Sequence, residues 1–226
     1  MERIYAVIPA YNAAMTLRRI VKRLKSSIPS ATIIVVNDGS IDATEKTIAG
    51  IDDIIYLKHD HNLGKGTTLR SGFKKALAEG ATLILTLDAD GQHDPADAEG
   101  LLDELYRQNA DVMIGSRMTH TERMPLPRVM SNKITSKLIS WRLGAKIEDS
   151  QSGFRLYRSR VFEALPLHGK FFDLETELLI KIGQRGSRIG TATIETIYQK
   201  DQPSAMRIID IFRFVKVYMH SFFWRI

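Results

Sequence analysis

Short apolar runs, each bounded by turn residues, alternate with stretches of helical spacing through the first half of the chain. Ile4–Ile8, Thr32–Val36, Ile54–Leu57, Thr82–Leu87 and Ala110–Ile114 are almost continuously apolar, as strands covered on both faces are. Between the first two, Leu17, Ile20, Val21, Leu24 and Ile28 recur at helical intervals, with Arg18, Arg19, Lys22, Arg23 and Lys25 largely opposite them. A second helix is expected after Ser40. A third runs from the bend Asn62-Leu63-Gly64-Lys65-Gly66 to about Ala78, and a fourth starts at Asp94-Pro95, where Asp caps and Pro takes the first helical position. Pro9 is expected to stop the first strand. This alternation predicts a single α/β domain, Rossmann-like, with a mostly parallel central sheet and helices on both faces.

The second half alternates less regularly. Met118–Pro127, with two prolines, reads as a loop; Val129–Leu143 as a helix; Gly144–Gly153 as a polar connector into an aromatic-basic strand at Phe154-Arg155. Phe171–Arg185 reads as a further helix and Ser187–Tyr198 as the segment that closes the sheet. Met206–Ile226 is rich in Ile, Phe, Val, Tyr and Trp, with Arg213, Lys216 and His220 in a narrow polar stripe. It is equally a packed terminal helix and a helix lying in a membrane interface. The division is therefore residues 1–205 as the main domain and 206–226 as an amphipathic C-terminal helix.

Composition narrows the picture. The chain has 226 residues, 44% apolar and 26% charged, as an ordinary globular domain does. It contains no cysteine, which excludes disulfides and thiolate metal sites and suits a reducing compartment. The early first strand leaves no room for a secretory leader, and no uncharged apolar run reaches about 18 residues. A cytoplasmic location is expected. The net charge of +6 suits an anionic partner (nucleoside diphosphate, lipid phosphate, membrane surface or nucleic acid) without choosing among them.

Candidate chemistry gathers at the strand ends. Asp88-Ala89-Asp90 follows the Thr82–Leu87 run, where open α/β sheets bind ligands. Two carboxylates so close repel when desolvated, and Mg²⁺ or Mn²⁺, which takes oxygen ligands from one or two carboxylates plus substrate phosphates, removes the conflict. Asp38, after the Thr32–Val36 run, is a turn-capping residue or an acceptor for a nucleobase edge or ribose. Lys65 lies in Gly64-Lys65-Gly66, but His59 stands where a nucleoside-triphosphatase loop needs its first glycine. That loop is excluded; Lys65 faces either solvent or a diphosphate. His93 and His120 read as loop or helix-edge residues, and Trp141 and Trp224 as packing residues. Asp149-Ser150-Gln151-Ser152-Gly153-Phe154-Arg155 has the polar density of a site contributor.

Six stretches occur in order: Ile8-Pro9-Ala10-Tyr11-Asn12, Val36-Asn37-Asp38-Gly39-Ser40, Asn62-Leu63-Gly64-Lys65-Gly66, Asp88-Ala89-Asp90-Gly91-Gln92-His93-Asp94-Pro95, Gly115-Ser116-Arg117, and Asp149 with Ser152-Gly153-Phe154-Arg155. Together, over about residues 3–200, the chain resembles a family 2 glycosyltransferase of the glycosyltransferase-A fold, close to the dolichyl- and polyprenyl-phosphate sugar synthases. The resemblance implies that Pro9, Tyr11 and Asp38 border the base and ribose of a GDP- or UDP-sugar. It implies further that Asp88, Asp90 and Gln92 hold the metal and donor diphosphate, and that Arg117 and Arg128 bind the acceptor phosphate. Asp149 takes a base-like or acceptor-site position. Lys200 stands near a donor-phosphate contact, although the arginine and glycine of that late family pattern are missing from Thr196–Ser204, as are paired membrane helices. The partners implied are a sugar nucleotide, a polyprenyl-phosphate lipid and a membrane surface reached peripherally from the cytoplasmic face, with no nucleic acid.

The expected chemistry is inverting transfer. Asp90, with the metal, serves departure of the nucleoside diphosphate. A phosphate acceptor is already anionic and needs only positioning by Arg117; a saccharide hydroxyl needs a base, for which Asp149 is the candidate. A sugar nucleotidyltransferase, releasing pyrophosphate, and a non-catalytic sugar-nucleotide or membrane-binding module are the rival readings.

Overall fold

The computed structural model describes residues 2–122, 124–195, 197 and 208–224. Seven strands, β1 (Ile4–Ala10), β2 (Thr32–Asn37), β3 (Ile54–Lys58), β4 (Leu83–Thr86), β5 (Val112–Ser116), β6 (Arg155–Arg158) and β7 (Ile189–Thr193), form one sheet in the order β3-β2-β1-β4-β6-β5-β7. All neighbouring pairs are parallel except the two made by β6. The helices are α1 (Leu17–Ser27), α2 (Thr44–Ile48), α3 (Lys65–Ala78), α4 (Asp97–Arg107), α5 (Leu126–Leu143), α6 (Asp173–Gln184) and α7 (Ile208–His220).

The apolar runs are buried on both faces because alternate side chains enter different cores. Ala6 and Ile8 of β1 meet Leu17, Ile20 and Leu24 of α1 and Leu101 and Leu105 of α4. Val7 points the other way, with Leu69 and Phe73 of α3, Leu178 of α6 and Tyr218 of α7. The strand order reverses between β1 and β4, so their carboxyl ends flank a crevice. Because β6 runs antiparallel, its beginning rather than its end lies on that edge and brings Ser152 and Gly153 there.

Several boundaries differ from expectation: α5 begins at Leu126, inside the segment expected as a loop to Pro127, with Pro127 in its first turn, and two others have a local cause. Pro9 does not stop β1, which continues to Ala10 with Pro9 paired to Val36. The Ala10 carbonyl accepts from Asp38 on the β2 side and the Val7 carbonyl from Leu87 on the β4 side. By alternation Pro9 faces β4, whose pairing has ended at Val7↔Thr86, so the missing N–H costs no ladder bond. The helix expected from Asp94-Pro95 starts as a turn, with the Asp94 carboxylate accepting from Ala96 N–H at 2.9 Å, and α4 proper begins at Asp97.

One side of the terminal helix packs on α5. Tyr218 of α7 is buried and donates to the Leu138 carbonyl, while Arg142 of α5 donates to the Ser221 carbonyl at 2.7 Å. The opposite side of α7 is exposed. Among the described residues no helix is long and apolar enough to cross a membrane.

Helix α3 lies close on β1 at Gly72, where a Cβ would stand 2.2 Å from Val7 Cγ1. Gly72→Val is expected to cost about 3 kcal/mol by overpacking, read by urea unfolding. Adding Val7→Ala recovers part of the loss, because the two positions share one space.

Candidate active site

The site is assembled from the turns at the sheet's carboxyl edge, and its first constraint is a half-buried cation. Lys65 sits in the first turn of α3, where the helix dipole opposes positive charge. It is held there by carboxylates: Nζ lies 2.7 Å from Asp88 Oδ1 and 3.1 Å from Glu175 Oε2. Burial would lower the Lys65 pKa, but the Asp88 and Glu175 charges raise it well above the ordinary lysine value. The turn before it depends on Gly64, at φ 95°, whose position faces the Lys170 carbonyl and the Phe171 ring so closely that no side chain fits. The Asp38 carboxylate clasps the same turn, accepting from Leu63 N–H at 3.0 Å and Gly64 N–H at 2.9 Å, with His59 Nδ1 at 2.7 Å.

Asp88 and Asp90 have opposite characters. Burial works to raise Asp88, and the Lys65 ammonium reverses this and leaves its pKa lowered. Asp90 keeps solvent access on the crevice floor; crowding by the crevice walls and the charge of Asp88 raise its pKa, against Gln92 N–H and the more distant Lys65 and Arg128 charges. Gln92 N–H donates to Asp90 Oδ1 at 2.9 Å. Gly153 makes room for this group, since a Cβ there would meet Asp88 Oδ2 at 2.4 Å.

A second buried pair braces the far wall. Arg117, following β5, donates from Nε to Asp149 Oδ2 at 2.7 Å and from Nη2 to Oδ1 at 2.8 Å, and its backbone N–H reaches the same carboxylate. Asn132 of α5 adds a bond at 2.6 Å. Burial would raise Asp149, yet the Arg117 charge and these bonds bring it to about 2. Behind it Arg155, also buried, donates to the carbonyls of Ser150, Ser152 and Glu175.

The structure corrects several sequence expectations. Asp149 is no base: a fully buried carboxylate locked on Arg117 has little proton affinity. Arg117, expected at the acceptor phosphate, is itself buried with its guanidinium forked onto Asp149. The Asp38 carboxylate caps the Leu63-Gly64 turn, the first of its two expected roles. His93 lies in the loop between β4 and α4, as expected, but is buried there against Phe154, ring centroids 5.6 Å apart, and burial together with Arg117 lowers its pKa to about 3. Trp141 is exposed rather than packed. Pro9 is half-buried and Tyr11 exposed at the end of β1, Arg128 stands in the first turn of α5, and Lys200 lies outside the described residues. Sequence reasoning missed Glu175 and Asn132. Neither had a local signal: Glu175 lies in Leu174-Glu175-Thr176-Glu177, where polar residues read as the solvent side of a helix, and Asn132 is one of several polar residues on α5.

The donor set bears on a metal. Asp88 and Asp90 offer hard oxygen atoms and an excess of negative charge, which fits Mg²⁺ or Mn²⁺ held by few protein ligands and completed by phosphates. Among the described residues no cluster of three or more His, Asp or Glu is arranged as a self-sufficient metal site.

Residues 5–165 match Glycosyl transferase family 2. The chain belongs to that family. It is a glycosyltransferase, and its sheet is of the glycosyltransferase-A type. Among its relatives, the UDP-N-acetylglucosamine–dolichyl-phosphate N-acetylglucosaminyltransferase of Methanococcus voltae is 31% identical over 216 residues, covering 86% of each chain. The undecaprenyl-phosphate mannosyltransferase of Micrococcus luteus is 29% identical over 202 residues, 83% of this chain and 80% of that one. Among solved structures, glucosyl-3-phosphoglycerate synthase from Mycobacterium tuberculosis, in complex with Mn²⁺, UDP and glucosyl-3-phosphoglycerate, superposes with a TM-score of 0.71 at 16% identity, over 98% of this chain and 78% of that one.

Removing the Asp149 carboxylate leaves Arg117 buried without its counter-charge, so Asp149→Ala is expected to cost about 3–5 kcal/mol in urea unfolding. The native carboxyl titrates near 2 and the unfolded one near 3.8. Its contribution is therefore complete above about pH 4 and lost as the pH falls toward 2. Stability of the wild type should fall more steeply over that acid range than that of the variant.

Proposed function

We propose that this glycosyltransferase moves a sugar from a nucleoside-diphosphate sugar to a polyprenyl-type lipid phosphate, with a divalent cation at Asp88 and Asp90. The observation that carries the acceptor reading is the poverty of the site in bases. Asp149 is held near 2 by Arg117, His93 near 3 by burial, and Asp88 is lowered by Lys65. A hydroxyl acceptor must lose a proton to such a base as the bond forms; a phosphate acceptor arrives anionic and needs only to be held in line. The relatives named for dolichyl and undecaprenyl phosphate support the same choice.

Each residue then has a task. Pro9 and Tyr11 edge the nucleoside, and Asp38 shapes that pocket by clasping the Leu63-Gly64 turn. Asp88, Asp90 and Gln92 would hold the cation, which when bound supplies Lewis-acid neutralisation of charge developing on the leaving diphosphate. Lys65 releases Asp88 and turns its ammonium toward the diphosphate when that anion enters. Arg128, whose charge already reaches Asp90, orients the acceptor phosphate, and Arg117 positions the wall behind it through Asp149. Attack on the face opposite the leaving group inverts the anomeric centre. A saccharide hydroxyl acceptor stays as the second reading because Asp90, with its raised pKa, is a carboxylate suited to take a proton.

Asp90→Ala is expected to lower kcat by at least about a hundredfold, measured as nucleoside diphosphate released, with the melting temperature unchanged. Excess chelator should stop transfer and added Mn²⁺ restore it; full activity in chelator refutes the metal role. Pyrophosphate as the product from a nucleoside triphosphate would favour a nucleotidyltransferase instead. Thermal shifts with UDP- and GDP-sugars identify the base, since the donor that binds raises the melting temperature.

A further inference from the structure

The ammonium of Lys65 lies against the oxygens of Asp88 that a metal ion would need. Its Nζ is 2.7 Å from Oδ1 and 2.9 Å from Oδ2, so it faces both atoms of that carboxylate at once. The same nitrogen lies 3.1 and 3.3 Å from the two oxygens of Glu175, in the first turn of α6. Among the described residues, Lys65 is the one hydrogen-bond partner of either carboxylate.

The backbone beneath this contact is clamped. Thr67 N–H donates to the Lys170 carbonyl at 3.1 Å, and at Gly66 a Cβ would stand 2.6 Å from the Phe171 carbonyl oxygen. The start of α3 therefore stays in place, and the flexible four-carbon stem of Lys65 is the part able to move. The Phe172 ring, its centroid 5.3 Å from Nζ, adds a weak cation–π contact.

A divalent cation on Asp88 has to bond one of the oxygens that the ammonium already holds, and two positive charges so close repel. Ion and ammonium therefore exclude one another at this carboxylate. A diphosphate resolves the conflict from both sides, since it supplies oxygen ligands for the ion and an anion for Lys65.

We propose that Lys65 is a resident cation that closes the Asp88 ion site until a nucleoside diphosphate draws it off, so that metal and donor bind as a pair and the bare ion binds poorly. Glu175 is the positioning residue of this exchange. It shares the ammonium, which keeps the hold on Asp88 weak enough to release, and it retains Lys65 beside the crevice afterwards. The inference rests on the reading of Asp88 and Asp90 as the metal carboxylates, and adds to it an interdependence of binding and a task for Glu175. A pair that only braces the fold predicts otherwise: removing it would lower the melting temperature with or without metal and leave the affinity for the ion where it was.

Binding of Mn²⁺ to the full chain, read as loss of the free-ion EPR signal, tests this with and without UDP or GDP. Wild type is expected to bind Mn²⁺ alone at least about tenfold more weakly than with the nucleotide, after correction for ion held by nucleotide in solution. Lys65→Met is expected to bind the bare ion at least about tenfold more tightly than wild type, with a smaller gain from nucleotide. The melting temperature is a second readout. Mn²⁺ alone should raise that of Lys65→Met and leave that of wild type where it was; Lys65→Gln serves the same comparison if Lys65→Met does not fold. Glu175→Gln, which leaves Lys65 to Asp88 alone, should bind the bare ion more weakly than wild type. Equal affinity of wild type and Lys65→Met for bare Mn²⁺ overturns the proposal, as does tighter binding by Glu175→Gln than by wild type. Should wild type bind bare Mn²⁺ as tightly as with nucleotide while chelator still stops transfer, the closed site is refuted and the metal reading stands. No binding of Mn²⁺ by any of these proteins, with nucleotide or without, refutes the metal reading and this inference with it.

Discussion

A charge withdrawn from water at the carboxyl edge of the sheet has to meet an opposite charge, and most of this site is built around that requirement. Lys65 occupies the least favourable end of its helix and stays there because Asp88 and Glu175 reach it from β4 and α6. Arg117 is removed from solvent and is tolerated because Asp149 forks onto it. These two clusters join the end of β4, the end of β5, the connector before β6 and the faces of α3, α5 and α6. Loss of Asp149 would strand the Arg117 charge, and loss of Asp88 or Glu175 would leave Lys65 a single counter-charge, so the clusters hold the loops in one arrangement.

The same pairings decide the chemistry available. Two aspartates one residue apart acquire different proton affinities because only Asp88 has the ammonium against it. Asp149 and His93 are both held far from any useful basicity, the first by a cation and the second by burial. What is left is a crevice that can bind and orient anions but does little proton transfer, which suits an acceptor that is already a nucleophile.

Helix α5 links that interior to the outer surface. Its inward face combines Asn132, Thr135 and Ser136, of which Asn132 bonds Asp149 and the other two bond Ser150, with buried Val129 and Ile139, while Leu126, Met130, Ile134, Leu138 and Trp141 are exposed. The tail reaches the donor side as well. Arg213 of α7 stacks over Phe171 at 3.8 Å, and the backbone at Lys170 and Phe171 packs against Gly64 and Gly66, the turn that sets Lys65 in place.

Period and punctuation along the chain were sufficient for the α/β class, for five of the seven strands within a residue or two, and for the position of Asp88-Ala89-Asp90 after a buried strand, because strand burial and turn chemistry are local properties. Charge partners are not local. Nothing near Lys65 in the sequence indicates Glu175, 110 positions away, nor does anything near Asp149 indicate whether it faces a substrate or Arg117. Pro9 could be judged only once β4 was seen to end before it. Likewise the spacing of Leu126, Met130, Ile134 and Leu138 reads equally as a core stripe or an exposed one. Periodicity says that side chains share a face; only the packed structure decides what that face meets, since burial is a property of the neighbours that the fold brings, not of the residue.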